Sequence, residues 1–334
     1  MSRSRERRDS IVRRGPSTEG LFGTRRVKTK PEHIGNEVTD AIARSEELTT
    51  IKNILFPVDF SPPCVAMAPF VERAASVTSA KVTLLHVVEV DASGFDLYVR
   101  PFPEIEKNCK SVAREKLGAF MNPEFPSADI PRLLWEGDAA TAIAKVASDR
   151  GIDLIIMPTH AGVFRRMLLG STTAKVLNDA DCAVMTTQHA ETLSPRPLEH
   201  REWVCAIGLS ADSERVLRYA SQIAETFHAN LSLLHAVPVA QPGLPVQLDL
   251  EERVQLMEVQ AARERFRKLQ RVVRSHARVT IAVGPIKEAL TEAARRLQAD
   301  ALIIGRSSQS GAQGRLRDLT YAVVRDAPCP VVSV

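Results

Sequence analysis

From residue 51 onward, short apolar runs alternate with longer stretches of helical period. Runs such as Ile54-Leu55-Phe56, Leu84-Leu85-His86-Val87 and Leu154-Ile155-Ile156 are what parallel strands buried on both faces require. The pattern predicts strands at 53–58, 81–87, 131–135, 153–157 and 183–187, with helices at 62–78, 103–120, 138–150 and 171–179. The same order then returns. Strands are predicted at 203–207, 230–236, 278–283, 300–304 and 330–334, with helices at 211–228, 249–275, 285–297 and 318–326. Strand and helix in strict alternation predict an α/β fold of two tandem doubly wound domains, each with a five-stranded, mainly parallel sheet.

The repetition extends to individual residues. Ser61 answers Ser210, and Leu84-Leu85-His86-Val87 answers Leu233-Leu234-His235-Ala236, both 149 residues on. Gly137-Asp138 answers Gly284-Pro285, Asp153 answers Asp300, and Cys182-Ala183-Val184 answers Cys329-Pro330-Val331, all 147 residues on. So steady an offset marks a duplicated unit. The domains are set at 51–190 and 203–334, with a linker at 191–202; the stretch His189–Arg201 carries two prolines and mixed charge.

Charge alters the picture only at the N-terminus. Residues 1–30 carry ten Arg and Lys against Glu6, Asp9 and Glu19, so the formal net charge of +4 belongs to the tail and the rest is slightly acidic. Residues 1–50 have too few apolar positions to offset the cost of ordering, and a disordered basic tail is expected, with a short helix conceivable at Asn36–Leu48. A nucleic-acid or lipid arm remains the alternative reading of the tail, but a nucleic-acid-binding body is not expected. The five cysteines are scattered without CxxC or Cys/His spacing, which predicts reduced thiols and no metal site. No signal-like segment or membrane-length apolar run occurs, so a cytoplasmic protein without membrane contact is expected.

Open parallel sheets bind ligands at the carboxyl ends of their strands. Three stretches of the first domain converge there. The first, Pro57-Val58-Asp59-Phe60-Ser61, offers a carboxylate to a ribose hydroxyl or a base amine, or simply caps the next helix. The second, His86-Val87-Val88-Glu89, offers Val87 to pack on a base; His86, repeated as His235, reads as a structural histidine. The third runs from Met157 through His160, Gly162, Arg165 and Arg166 to Gly170-Ser171-Thr172. There a helix N-terminus with free amides can hold an anion, and Ser171 adds a hydroxyl. Simple capping by Ser171, with both arginines solvated, is the plainer alternative.

This third stretch resembles the universal stress protein signature, G-x2-G-x9-G-[S/T], and the segments Ile54–Ser61, Leu84–Glu89, Gly170–Val184 and Ala327–Val331 also match that family. The resemblance covers residues 51–334. It implies the adenine nucleotide alpha hydrolase-like fold, pairing through last strands, and ATP binding in some members only. Carried onto this chain, it implies contacts from Pro57, Val58, Asp59, Val87, Met157, Gly170, Ser171 and Thr172. The first two signature glycines are here Pro158 and Ala161, the loop is one residue short, and Gly162 is the candidate substitute. Proline supplies no amide donor.

In the second domain Asp59 becomes Gly208, Gly170 becomes Arg317 and Ser171 becomes Asp318. A carboxylate there repels phosphate, so no ATP binding in the family manner is expected of that half. The resemblance thus implies a stress-response module binding ATP, ADP or AMP in domain one, Mg²⁺ accompanying ATP; because binding loops are mobile when empty, ordering of the 158–172 loop on binding is expected. It also implies a pseudo-dimer of the two domains through strands 183–187 and 330–334, with a homodimer of chains open. No acid/base or nucleophile arrangement is visible, and no catalytic activity is expected. A slow ATPase or nucleotidyl-transfer enzyme, and a scaffold that binds no nucleotide, stay as alternatives.

Overall fold

A computed structural model describes residues 51–89, 103–126, 128–159, 169–188, 202–238, 248–306 and 313–334. The expected tail, residues 191–201 of the linker, Gly162 and the two loop arginines lie outside the described residues, while Glu202, the linker's last residue, already belongs to a strand. In the first unit the elements are β1 (Asn53–Pro57), α1 (Pro62–Thr78), β2 (Lys81–Val88), α2 (Pro103–Ala119), β3 (Arg132–Glu136), α3 (Ala139–Asp149), β4 (Leu154–Pro158), α4 (Ser171–Asp179) and β5 (Ala183–Thr187). The second unit repeats them as β6 (Glu202–Ala206), α5 (Ser213–Thr226), β7 (Asn230–Val237), α6 (Leu248–Val273), β8 (Arg278–Val283), α7 (Ile286–Arg296), β9 (Ala301–Ile304), α8 (Gln313–Asp326) and β10 (Val331–Ser333).

All ten strands join one sheet in the order β3-β2-β1-β4-β5-β10-β9-β6-β7-β8. Within each unit every pairing is parallel. The units meet at β5 and β10, which pair antiparallel, with Val331 opposite Thr186 and Ser333 opposite Val184. The strands of one unit therefore point opposite to those of the other.

Alternation along the strands places the core on both faces. Ile54, Phe56, Leu84 and Ile156 belong to the cluster beneath α1, whereas Leu55, Leu85 and Ile155 pack with Ile143, Val146 and Val176 of α3 and α4. Successive side chains of a strand point to opposite faces, so the continuous apolar runs are explained by two covered faces.

The duplication reaches the backbone. Phe60 and Leu209 both adopt positive φ (64° and 54°), as do Ser79 and His228, and Gly151 and Gln298. Gly137 and Gly284, at φ 117° and 147°, sit where a side chain is strongly disfavoured. Asp153 is structural, since its Oδ2 accepts from the amides of Lys52 and Asn53 at the entry to β1. Asp300 does the same for the Glu202 amide at 3.0 Å.

Two helix starts differ from the sequence pattern. α5 begins at Ser213 after a turn closed by Ser213 N–H to the Ser210 carbonyl, not at 211. α8 begins at Gln313, not 318. Arg317 and Asp318 therefore lie inside the helix, where amides are consumed by the carbonyls four residues back.

Candidate functional site

The strand order reverses between β1 and β4, and a cavity of about 520 Å³ opens at their carboxyl ends. Pro57 borders it from the end of β1 and Val58 and Asp59 from just beyond, Val87 from β2, Met157 from β4, Gly170 from the N-cap of α4, and Ser171 and Thr172 from its first turn. The structure thus brings together eight of the nine positions singled out in the sequence; the ninth, Gly162, lies outside the described residues. Leu85, His86, Glu89, Ala139, Ile143 and Thr173 line it as well. Ala139 and Ile143 went unnoticed in the sequence, although the Gly137-Asp138 turn that aims α3 at the cavity was visible.

At the β1–α1 turn the roles divide. The Ser61 hydroxyl caps α1 by accepting from the Cys64 amide at 3.3 Å. Asp59 Oδ1 accepts from the Ser61 amide at 2.9 Å and from the Ser61 hydroxyl at 2.6 Å. Asp59 is exposed at the cavity. The turn is made by Phe60 in the left-handed region, a conformation costing about 1–2 kcal/mol for a residue with a side chain. Phe60 packs on His86 (ring centroids 4.4 Å apart) and on Phe120 (5.4 Å), contacts that help offset the strain.

His86 is structural, as its repetition suggested. Its Nδ1 lies 2.7 Å from the Val58 carbonyl, and His235 Nδ1 lies 2.7 Å from the equivalent Ile207 carbonyl. Each histidine ties the end of its unit's first strand to the second.

The α4 N-terminus is only partly free. Gly170 is its N-cap, with no side-chain cap. Contrary to expectation, the Gly170 amide is occupied: it donates to the Thr159 carbonyl at 2.9 Å. The amides of Ser171, Thr172 and Thr173 have no acceptor among the described residues, because the first turn of a helix has no intrahelical partner for them. The Thr173 hydroxyl donates to the Pro158 carbonyl at 3.1 Å. Gly170 has φ −61° and ψ 142°, a conformation open to any residue. Nearby, Lys175 of α4 bonds Asp138, the N-cap of α3, at 2.9 Å. That ammonium, with the Thr141 amide and hydroxyl, holds the Asp138 carboxyl down at about 2.

The second unit has a smaller cavity of about 270 Å³ at the corresponding ends of β6 and β9. Its walls are more aliphatic. Ile286 and Leu290 stand where the first unit has Ala139 and Ile143, Leu319 where it has Thr172, and Gly208 where it has Asp59.

The universal stress protein family model matches residues 50–188 and again 201–334. The chain belongs to the universal stress protein family. This tandem universal stress protein is similar to a single-length relative in Methanocaldococcus jannaschii, 25% identical over 153 residues, which are 41% of this chain and 94% of that one. A universal stress protein of Methanothermobacter thermautotrophicus is 31% identical over 81 residues, spanning 24% of this chain and 56% of that protein. Among solved structures, a universal stress protein from Archaeoglobus fulgidus superimposes with a TM-score of 0.60 at 18% identity, covering 85% of this chain and 96% of that one. At that identity the likeness speaks for the fold alone. No helix among the described residues of this universal stress protein is long and apolar enough to cross a membrane.

Proposed function

We propose that the first unit binds an adenine nucleotide (ATP, ADP or AMP) without turning it over, and that the protein acts as a nucleotide-responsive stress module. The observation that carries this reading is the meeting of two features in one cavity. The free amides of Ser171–Thr173 at the α4 N-terminus face the same space as the exposed Asp59 carboxylate. Amides and helix dipole suit a phosphate; a carboxylate suits a ribose hydroxyl or base amine. The volume of about 520 Å³ lies within the roughly 300–1,000 Å³ of small-molecule sites. Val87 supplies apolar surface for the base. Turnover is not part of the proposal: His86 Nδ1 is engaged by the Val58 carbonyl, and Asp59 Oδ1 by Ser61.

Among the described residues there is no group of three His, Cys, Asp or Glu able to hold a metal. Mg²⁺ would enter on the triphosphate, and Asp59 and Glu89 are carboxylates lining the cavity that could meet it there. The second unit is proposed not to bind a nucleotide in this manner: its cavity is about 270 Å³ and Asp59 has no counterpart. The two units act as an intramolecular pseudo-dimer held along β5 and β10.

The occupied Gly170 amide and the donor-less Pro158 favour the competing reading, a scaffold of this fold without nucleotide. One experiment separates the two. Mass spectrometry of small molecules released from natively purified protein is expected to find an adenine nucleotide. ATP at 100-fold over its Kd is expected to stabilise the protein by about 2.7 kcal/mol, and Asp59→Ala to reduce that shift. Absence of both ligand and shift would establish the scaffold.

A further inference from the structure

The helix whose N-terminus builds the proposed phosphate cradle is held in place by the other unit. Arg306 follows β9 of the second unit, yet its guanidinium donates to three first-unit carbonyls: Leu177 at 3.0 Å, Ala180 at 2.8 Å and Cys182 at 2.6 Å. These lie at and just past the C-terminal end of α4, where carbonyls have no intrahelical donor. Tyr321 of α8 donates its hydroxyl to the Ala174 carbonyl, within α4, at 3.0 Å. The antiparallel seam makes this reach possible. Because the units run in opposite directions, the carboxyl end of β9 lies beside the entry to β5, where α4 ends.

Both contacts come from elements that border the second unit's own cavity. Arg306 lines it directly, and α8 contributes Leu319, Thr320 and Val323. Arg306 is also tied to its own sheet, its amide donating to the Val334 carbonyl at 2.7 Å. The first unit has no such residue at the equivalent place. Thr159 stands there, and its amide and hydroxyl turn to the Thr187 carbonyl of its own unit. The second unit thus grips α4, and Thr159, through the Gly170 amide, fixes where α4 starts.

We propose that Arg306 and Tyr321 are positioning residues for the first unit's anion cradle, so that the second unit, itself without an Asp59 counterpart, sets the affinity of the first for the phosphates of its ligand. The inference rests on the nucleotide reading above and deepens it. A short helix pinned at its C-terminal end by a planar fork presents its N-terminal amides at a defined place. Lysine retains the cation but cannot span three carbonyls as guanidinium does. A cation at the C-terminal end also complements the negative end of the helix dipole, which steadies α4 itself.

The test compares ATP with adenosine, which lacks the group that α4 would hold, on full-length wild type, Arg306→Lys, Arg306→Gln and Tyr321→Phe. Isothermal titration gives the ratio of the two affinities, and urea unfolding separately reports overall stability. For Arg306→Gln the preference for ATP over adenosine is expected to fall about tenfold, within the usual range of coupling between sites. Arg306→Lys is expected to fall in between, and Tyr321→Phe, which removes one hydroxyl, to fall by less while remaining folded. Variants that lose stability but keep the wild-type ratio would overturn the positioning role and leave the nucleotide reading standing. A wild type that binds neither compound would overturn both.

Discussion

Gly305 stands where the family signature has its first glycine, and its neighbours give that residue a packing role that needs no ligand. A methyl group added there would lie 2.7 Å from Cγ2 of Val216, and 3.8 Å from its Cβ and Cγ1. Favourable carbon contacts lie near 3.5–4.0 Å. Val216 is on α5, is 4% exposed, and as a β-branched helical residue has essentially one χ1 rotamer. It cannot swing aside, so Gly305→Ala must displace α5 or β9. Overpacking of this kind costs about 1–3 kcal/mol, against a gain of about 0.4–1 kcal/mol from restricting the unfolded chain. Net destabilisation of about 1–2 kcal/mol is expected, read as a lower urea midpoint by circular dichroism. Val216→Ala removes the obstructing methyls, so the double variant should be more stable than the sum of the single effects by about 1 kcal/mol or more. A Gly305→Ala protein as stable as wild type, or full additivity in the double variant, would refute the packing account.

Acid stability should report on the Asp138–Lys175 contact. The Asp138 carboxyl is held at about 2, below its ordinary 3.8, so its contribution is full above about pH 4 and is lost as pH falls through 2. Asn caps a helix as well as Asp, so Asp138→Asn isolates the charge. A Tm deficit of about 1–2 °C at pH 6, as befits an exposed pair, should shrink toward pH 2; a constant deficit would contradict the linkage. Thiol labelling should divide the cysteines. Cys109 is exposed and should react fast, whereas burial pushes Cys64 and Cys329 up to about 12, Cys182 up to about 11, and Cys205 higher still. A second thiol reacting as fast as Cys109 under native conditions would be inconsistent with this burial.

The strands and most helices were legible because a sheet covered on both faces demands uninterrupted apolar runs, and the repeat supplied each prediction twice. The start of α8 was not legible. Its first turn, Gln313-Gly314-Arg315, is polar and contains a glycine, so hydrophobic period alone delays the helix to 318. Site residues on strand ends were legible because a parallel sheet sends all its carboxyl ends to one side. The part that escaped is whatever depends on pairs far apart in sequence. Nothing local marks Arg306 as the partner of Leu177, Ala180 and Cys182, or Tyr321 as the partner of Ala174. The occupied Gly170 amide escaped for the same reason, since its acceptor, Thr159, lies across the loop. For Asp59 local rules left helix capping and ligand contact both open; the structure adds that its Oδ1 is bound to the Ser61 amide and hydroxyl.

The β5–β10 seam also governs what the molecule can join. Two borders that would otherwise expose unpaired amides and carbonyls are sealed against each other inside one chain, leaving β3 and β8 as the outermost strands. Exposed Glu136 and Arg278 place charges on them, a familiar protection against further strand addition. A second copy of this chain that associates by extending the sheet must therefore dock at β3 or β8, far from the join, and would build a longer ribbon instead of repeating the contact that unites the halves.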